Sequence, residues 1–198
     1  MNIEHILINN GISFGSDKPL KQVLIESYDK INLEDIFINN NCVNYKCFDI
    51  LRLLLKSDSF RKLLVEGIAN GEVRPFNDNL WERFSFMNYR GCDSLRQAFK
   101  LGLNLGNCTN FSKEIGYAFK GCDICGGGAD LLVGTENCPL GNHTWMEYGG
   151  VIYDTSLMII MTRDFSKKLG YKEENRYPIS ETLGYESKVK YANDRSLM

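Results

Sequence analysis

The sequence predicts an α+β domain, helical in its N-terminal half and then a helix packed on a small antiparallel sheet. Three observations carry this. Apolar residues recur at helical spacing up to about residue 105; after Gly106 the pattern shortens to β-like runs separated by glycines; and no internal repeat or low-complexity linker divides the chain. At 198 residues the chain fits a single domain with a sizeable core. The expected organisation is one unit over 1–198, with a mainly helical portion at 1–105, the helix and sheet at 106–165, and a polar tail at 170–198.

The elements follow in order. Asp17 before Lys18-Pro19 reads as an N-cap ahead of a helix-starting proline, and Leu20, Val23, Leu24 and Ile31 give an amphipathic stripe. Cys47 to Lys56 is nearly all apolar, as expected of a buried helix. From Ser57 to Ala69, Phe60, Leu63, Leu64 and Ile68 keep helical spacing, with Gly71 as the stop. A further helix is expected from Ser94 to Leu103. Phe111, Ile115 and Phe119 mark a packing stripe on a helix from Cys108 to Phe119, with Cys108 in its first turn. Gly126-Gly127-Gly128 then reads as a mobile loop beside a cleft. Strands are expected at Ala129 to Val133, His143 to Tyr148, Val151 to Asp154 and Leu157 to Met161, with Gly149-Gly150 as a two-residue hairpin turn. The last thirty or so residues, polar with interspersed Tyr, Glu and Lys, are expected to be irregular.

Composition narrows the function. Apolar residues make up 43% and charged residues 24%, which excludes a disordered or collagen-like chain. Lys and Arg number 23 against 25 Asp and Glu, a net charge of −2 without long runs of either sign, so neither nucleic acid nor an anionic membrane is an expected partner. No stretch approaches the ~18 apolar residues of a membrane span, and the first residues lack a basic region ahead of an apolar one. A cytoplasmic protein is expected. The seven cysteines then read as thiols in a reducing compartment, available for metal binding, catalysis or packing.

The chemistry-bearing residues cluster in two runs, Gly106-Asn107-Cys108-Thr109-Asn110-Phe111 and His143-Thr144-Trp145-Met146-Glu147-Tyr148. A thiol attacks only as thiolate, and a helix N-terminus favours the anion through its dipole and unpaired amides. Those amides also suit the oxygen of a tetrahedral intermediate. A nucleophile at Cys108 needs a proton acceptor. Of the two histidines, His5 lies in an unpromising leader, which leaves His143.

The orienting group is testable on paper. A turn at Gly149-Gly150 pairs Tyr148 with Val151, Met146 with Tyr153 and Trp145 with Asp154, so alternation puts His143, Trp145, Glu147, Ile152 and Asp154 on one sheet face. Asp154 becomes the diagonal neighbour of His143, at the ~7–8 Å backbone spacing an imidazole and a carboxylate can bridge. Trp145 reads as core or cleft wall, and Glu147 as a strand-face charge beyond easy reach of His143.

Gly106-x-Cys108 opening a helix, then His143-x-Trp145-x-Glu147, then Tyr153-Asp154 at the end of the next strand resembles the transglutaminase-like branch of the papain-like cysteine enzymes. The match spans about Gly106 to Leu157. The resemblance implies a papain-like core, amide hydrolysis or acyl transfer on a protein or peptide substrate, and no organic cofactor. It matches Cys108 to the nucleophile, His143 to the general base and acid, and Asp154 to the residue that fixes the imidazole tautomer. Two departures stand out: Thr109 follows the cysteine where many members carry an aromatic residue, and the glutamine of the papain subgroup would fall at Gly102. Gln97 and Asn104 are the remaining candidates for an oxyanion side chain.

Two other classes compete. Cys122-x2-Cys125-x12-Cys138-x4-His143 offers four soft ligands for tetrahedral zinc in a binding module, which would take His143 away from Cys108. A papain-like scaffold that binds without turnover is the other. The glycine triplet lacks the Gly-Lys-Ser/Thr of a phosphate loop.

Overall fold

The computed structural model describes residues 1–39, 45–76, 80, 89, 91–119, 121–129 and 141–186. Cys42, Cys138 and the expected strand beyond Ala129 lie outside these residues. The helical part contains α1 (Ile3–Asn9), α2 (Leu20–Glu26), α3 (Asp49–Leu54), α4 (Asp58–Ala69) and α5 (Leu95–Lys100), with short 3-10 turns at Tyr28–Lys30 and Lys46–Phe48. Strand β1 (Val73–Pro75) follows α4. Then come α6 (Cys108–Gly116), β2 (Asp123–Ala129), β3 (Asn142–Tyr148), β4 (Val151–Asp154), β5 (Ile159–Thr162), α7 (Arg163–Lys168) and β6 (Tyr171–Pro178). The strands form an antiparallel sheet in the order β1-β5-β4-β3-β2-β6, which makes the protein α+β.

Helix boundaries follow local chemistry. Pro19 holds the cap position of α2 in an extended conformation, so the helix starts at Leu20 and Asp17 is not its cap. The apolar run after Cys47 divides into a 3-10 turn and α3. α4 matches its expected span, burying Phe60, Leu64, Val65 and Ile68. Its Gly67 lets the helix press close to α7 and β1, because a Cβ there would stand 2.3 Å from the Phe165 ring and 2.8 Å from Val73.

The sheet is covered on both faces. α6 lies against β2 and β3. Its Gly116 sits by Ile124 and the Cys122 sulfur, and Phe111 and Ile115 are fully buried, as is usual for an apolar helical stripe. α4 and α7 pack on the opposite face, that of Val73, Ile152 and His143. No described helix is long and apolar enough to cross a membrane.

Two parts of the sheet depart from expectation. Gly126-Gly127-Gly128 is not a loop: it lies inside β2, paired on one side with β3 and on the other with β6. The β2/β6 register slips between Gly126 and Gly127, a bulge that leaves Glu174 without an opposite partner. A Cβ on Gly127 would stand 2.0 Å from the Lys172 carbonyl oxygen, so the sequence needs glycine there to let β6 approach. The second departure is β6 itself, together with the 3-10 turn at Ile179–Glu181, where an irregular polar tail was expected. β6 is an edge strand with much of its surface in water, so it carries polar residues without the alternation that marks a half-buried strand.

Gly127→Ala is expected to destabilise the fold by about 2–3 kcal/mol, the scale of forced overpacking. Gly128→Ala, whose Cβ meets nothing within 4 Å, is expected to cost far less. Thermal unfolding of the pair checks this, and equal losses would contradict the bulge as the cause.

Candidate active site

The hairpin register holds. Tyr148 pairs with Val151, Glu147 with Ile152 and Met146 with Tyr153, around a turn in which Gly149 (φ +58°) and Gly150 (φ +78°) both take the left-handed conformation of a type I′ turn. His143 and Asp154 therefore share a face, and their side chains meet: His143 Nε2–H donates to Asp154 Oδ2 at 2.5 Å, with both groups buried. Nδ1 is the ring nitrogen not used by Asp154, and the half-buried Cys108 thiol lies near enough to His143 that each favours the other's ionised form. The structure thus sets Asp154 against the His143 ring and keeps Cys108 near that ring.

Each group is held by its element. Cys108 is half-buried at the first position of α6. The cap residue Asn107 turns its side chain back to donate to Leu103 O at 2.9 Å and makes no cap bond to the helix. The first backbone bond of the helix is Phe111 N–H to Asn107 O, so the amides of Cys108, Thr109 and Asn110 precede it. Helix and strand are joined at this point by the Thr109 and Thr144 hydroxyls, 2.8 Å apart, and by Ser112 Oγ donating to Thr144 O at 3.0 Å.

Asp154 is saturated with donors. Its Oδ1 accepts the N–H groups of Ser156 (2.8 Å) and Leu157 (2.7 Å); its Oδ2 accepts from His143 and from the Tyr171 hydroxyl, also at 2.5 Å. A carboxylate offers about four acceptor sites, and all four are used. The turn behind it ends at fully buried Met158, the non-glycine residue among those described with left-handed backbone (φ +59°), a conformation that persists only where surrounding structure imposes it. Asn104, fully buried, braces the same turn: its Nδ2 donates to Thr155 O at 2.6 Å.

The electrostatics favour a thiolate and an imidazolium. Burial pushes the Cys108 thiol up, but the hydrogen bond and charge of His143, with the Thr144 N–H and hydroxyl, bring it below its ordinary 9.0. Burial pulls His143 down, but the adjoining Asp154 carboxylate more than offsets this and raises it to about 10. Burial likewise raises Asp154, and the charge and hydrogen bond of His143 outweigh it, keeping the carboxyl below its usual range.

Tyr171 is the residue the sequence reading missed. It opens β6, donates to Asp154, and sets its ring edge-on to His143 (centroids 5.8 Å) and to Trp145 (5.1 Å). A usable signal was present: Thr162 caps α7 and Gly170 follows its end, so a chain reversal just before Tyr171 was legible. Trp145 is buried wall, as expected. Glu147 is not a plain strand-face charge: it is 5% exposed and bonded to Arg163 and Arg176.

Among the described residues, the proposed zinc ligands Cys122, Cys125 and His143 do not converge. Cys122 lies toward α6, donating to Gly116 O, whereas Cys125 points to the opposite face among Glu147, Glu173 and Arg176. Burial pushes both thiols up to about 12, so they stay protonated at neutral pH. Among the described residues, the cluster close enough to share an ion is Cys125, Glu147 and Glu173, and Arg176 already bonds both of its carboxylates. Of the two oxyanion candidates, Gln97 accepts Asp93 N–H through Oε1 at the start of α5, and Asn104 Nδ2 donates to the Thr155 and Cys47 carbonyls.

Comparison with protein-family models, curated proteins and solved structures finds no match to this chain.

Proposed function

We propose that the protein is a cysteine enzyme of transglutaminase-like type, with a papain-like core, that cleaves or transfers the acyl group of an amide in a protein or peptide. The observation that carries this reading is the buried pair His143 Nε2–Asp154, with the Cys108 thiol at the start of a helix and near enough to the imidazole to share its charge. That order of groups is the one that activates a thiol nucleophile and fixes its base.

The Cys108 thiolate adds to the amide carbonyl, whose oxygen takes the negative charge and is received by the uncapped amides at the start of α6, Cys108 N–H first. His143 then gives its Nδ1 proton to the departing amine as the carbon–nitrogen bond breaks, leaving an acyl thioester on Cys108. Water or a second amine attacks the thioester while His143 takes a proton from it. The thiolate leaves, and a carboxylic acid or a new amide is released. Asp154 stays ionised throughout and holds the imidazole by Nε2.

Cys108→Ala is expected to abolish labelling by an acyl-type, thiol-directed peptide probe that labels the wild type at one residue. Mass mapping of the labelled site checks this, and labelling that persists in the variant would refute the assignment. Cys122 and Cys125, buried and protonated, are expected to stay unlabelled in the folded protein. Mass analysis of a glutamine peptide incubated with and without a primary amine separates hydrolysis from transfer.

A further inference from the structure

The Asp154 carboxylate is held more fully than fixing an imidazole requires. Two backbone amides on Oδ1 already anchor it to its own turn, and one bond from Oδ2 orients His143. The Tyr171 hydroxyl adds a second donor to the same Oδ2 from the far edge of the sheet, since β6 and β4 are separated by β2 and β3. The bulge that requires Gly127 lies between these strands and lets the start of β6 approach His143. Structural anchoring alone does not call for a phenol on the oxygen that faces the imidazole.

We propose that Tyr171 is a positioning residue whose hydroxyl, by sharing Asp154 Oδ2 with His143, moderates the pull of the carboxylate on the imidazolium so that the ring can release its proton to a leaving amine. The proposal rests on the cysteine-enzyme reading. An acceptor oxygen that receives two donors offers each a weaker bond than an oxygen that receives one. With the hydroxyl in place, the imidazolium is held firmly enough to form beside the thiolate and loosely enough to act as an acid. Without it, Oδ2 binds the imidazolium alone and more tightly, the thiolate partner is favoured further, and proton return becomes the slower step. The Tyr171 hydroxyl reaches the imidazole through Asp154, while its ring, edge-on to His143, is a separate contact that Tyr171→Phe keeps.

Among the described residues, few other charges stand near the imidazole. Facing His143 are Cys108 from α6, Asp154 from β4 and Tyr171 from β6, while the opposed residue on β2 is Gly127. Ile159 of β5 pairs with Asp154. Glu147, farther along β3 on the same face, is tied to Arg163 of α7 and Arg176 of β6, and Asp123 of β2 to Arg176.

The test is the pH dependence of Cys108 alkylation by iodoacetamide, read beside turnover of a peptide amide in the same protein. In Tyr171→Phe, which keeps the ring, the alkaline limit of the ion pair is expected to move up by about one pH unit, the scale of one hydrogen bond to a charged group. Turnover is expected to fall several-fold while alkylation at neutral pH is retained or rises. Replacing Tyr171 with a ring-fluorinated tyrosine, a stronger donor of the same shape, keeps the bond should the phenylalanine variant fold poorly. It is expected to move the limit the opposite way. An unchanged limit in both variants, or a downward move in Tyr171→Phe, overturns the proposal. A normal ion-pair titration with no amide turnover in the wild type would instead count against the enzymatic reading, and the alkylation shifts would still decide the role of Tyr171.

Discussion

Asp154→Asn is expected to lower turnover by on the order of 10³–10⁴-fold, the loss typical of a triad deprived of its carboxylate. The reason lies in the donor count. Asp154 is fully buried and accepts from Ser156, Leu157, His143 and Tyr171. An amide of the same shape has one acceptor oxygen and one NH₂ group. Whichever way it is turned, donors face donors: at the backbone turn, or at His143 and Tyr171. Turned toward the ring, the NH₂ stabilises the tautomer with Nε2 unprotonated, the reverse of what the thiol needs. In both orientations the negative charge that keeps His143 protonated is gone, and burial then drives the imidazole neutral. The Cys108 thiol loses its partner and protonates. Steady-state turnover together with alkylation at neutral pH measures this, and both are expected to fall. A variant that keeps its turnover would show that the imidazole does not depend on this carboxylate.

The second large effect is on stability against pH, and it needs no substrate. A group whose pKa is raised on folding, as His143 is, contributes stability that is complete below its unfolded value near 6.5 and is lost as pH rises toward about 10. A group whose pKa is lowered, as Cys108 is, contributes stability above its unfolded value near 9.0 and loses it as pH falls through the folded value. At pH values above the lowered thiol value of the folded protein and below about 9, the unfolded chain carries one proton on this pair, on the thiol, and the folded protein also carries one, on the imidazole. The two states bind equally, so this pair gives the wild type no slope there. Cys108→Ala removes the thiol but leaves His143 beside Asp154. The folded variant then holds a proton that the unfolded chain does not, and stability is expected to fall with rising pH by up to about 1.4 kcal/mol per unit. Denaturant unfolding at a series of pH values checks this. Parallel profiles for wild type and variant would mean that the thiol and imidazole are not ionised together.

How much of the site was legible depends on how local its determinants are. The pairing of His143 with Asp154 was readable because a two-residue glycine turn sets the register and strand alternation then sets the face, both within a dozen residues of chain. Cys108 was readable because a helix start has its own chemistry. The glycine triplet misled for the opposite reason. Locally it resembles a loop, and only the Lys172 carbonyl, brought in by β6, explains why a side chain is excluded at Gly127. The pair Cys122 and Cys125 reads as a metal knuckle until β2 turns the two thiols to opposite faces.

The amino-acid order alone determined the helices of the first half, the hairpin, the place of Cys108 at a helix start and the shared sheet face of His143 and Asp154, because each is written in periods of two or 3.6 residues or in a turn. Tertiary structure alone decided that the polar C-terminal run is an edge strand, that Tyr171 completes the shell of Asp154, and that Glu147 is buried between two arginines. These depend on β6 crossing the sheet to pair with β2. An edge strand half in water keeps no hydrophobic period by which that contact could be read in advance.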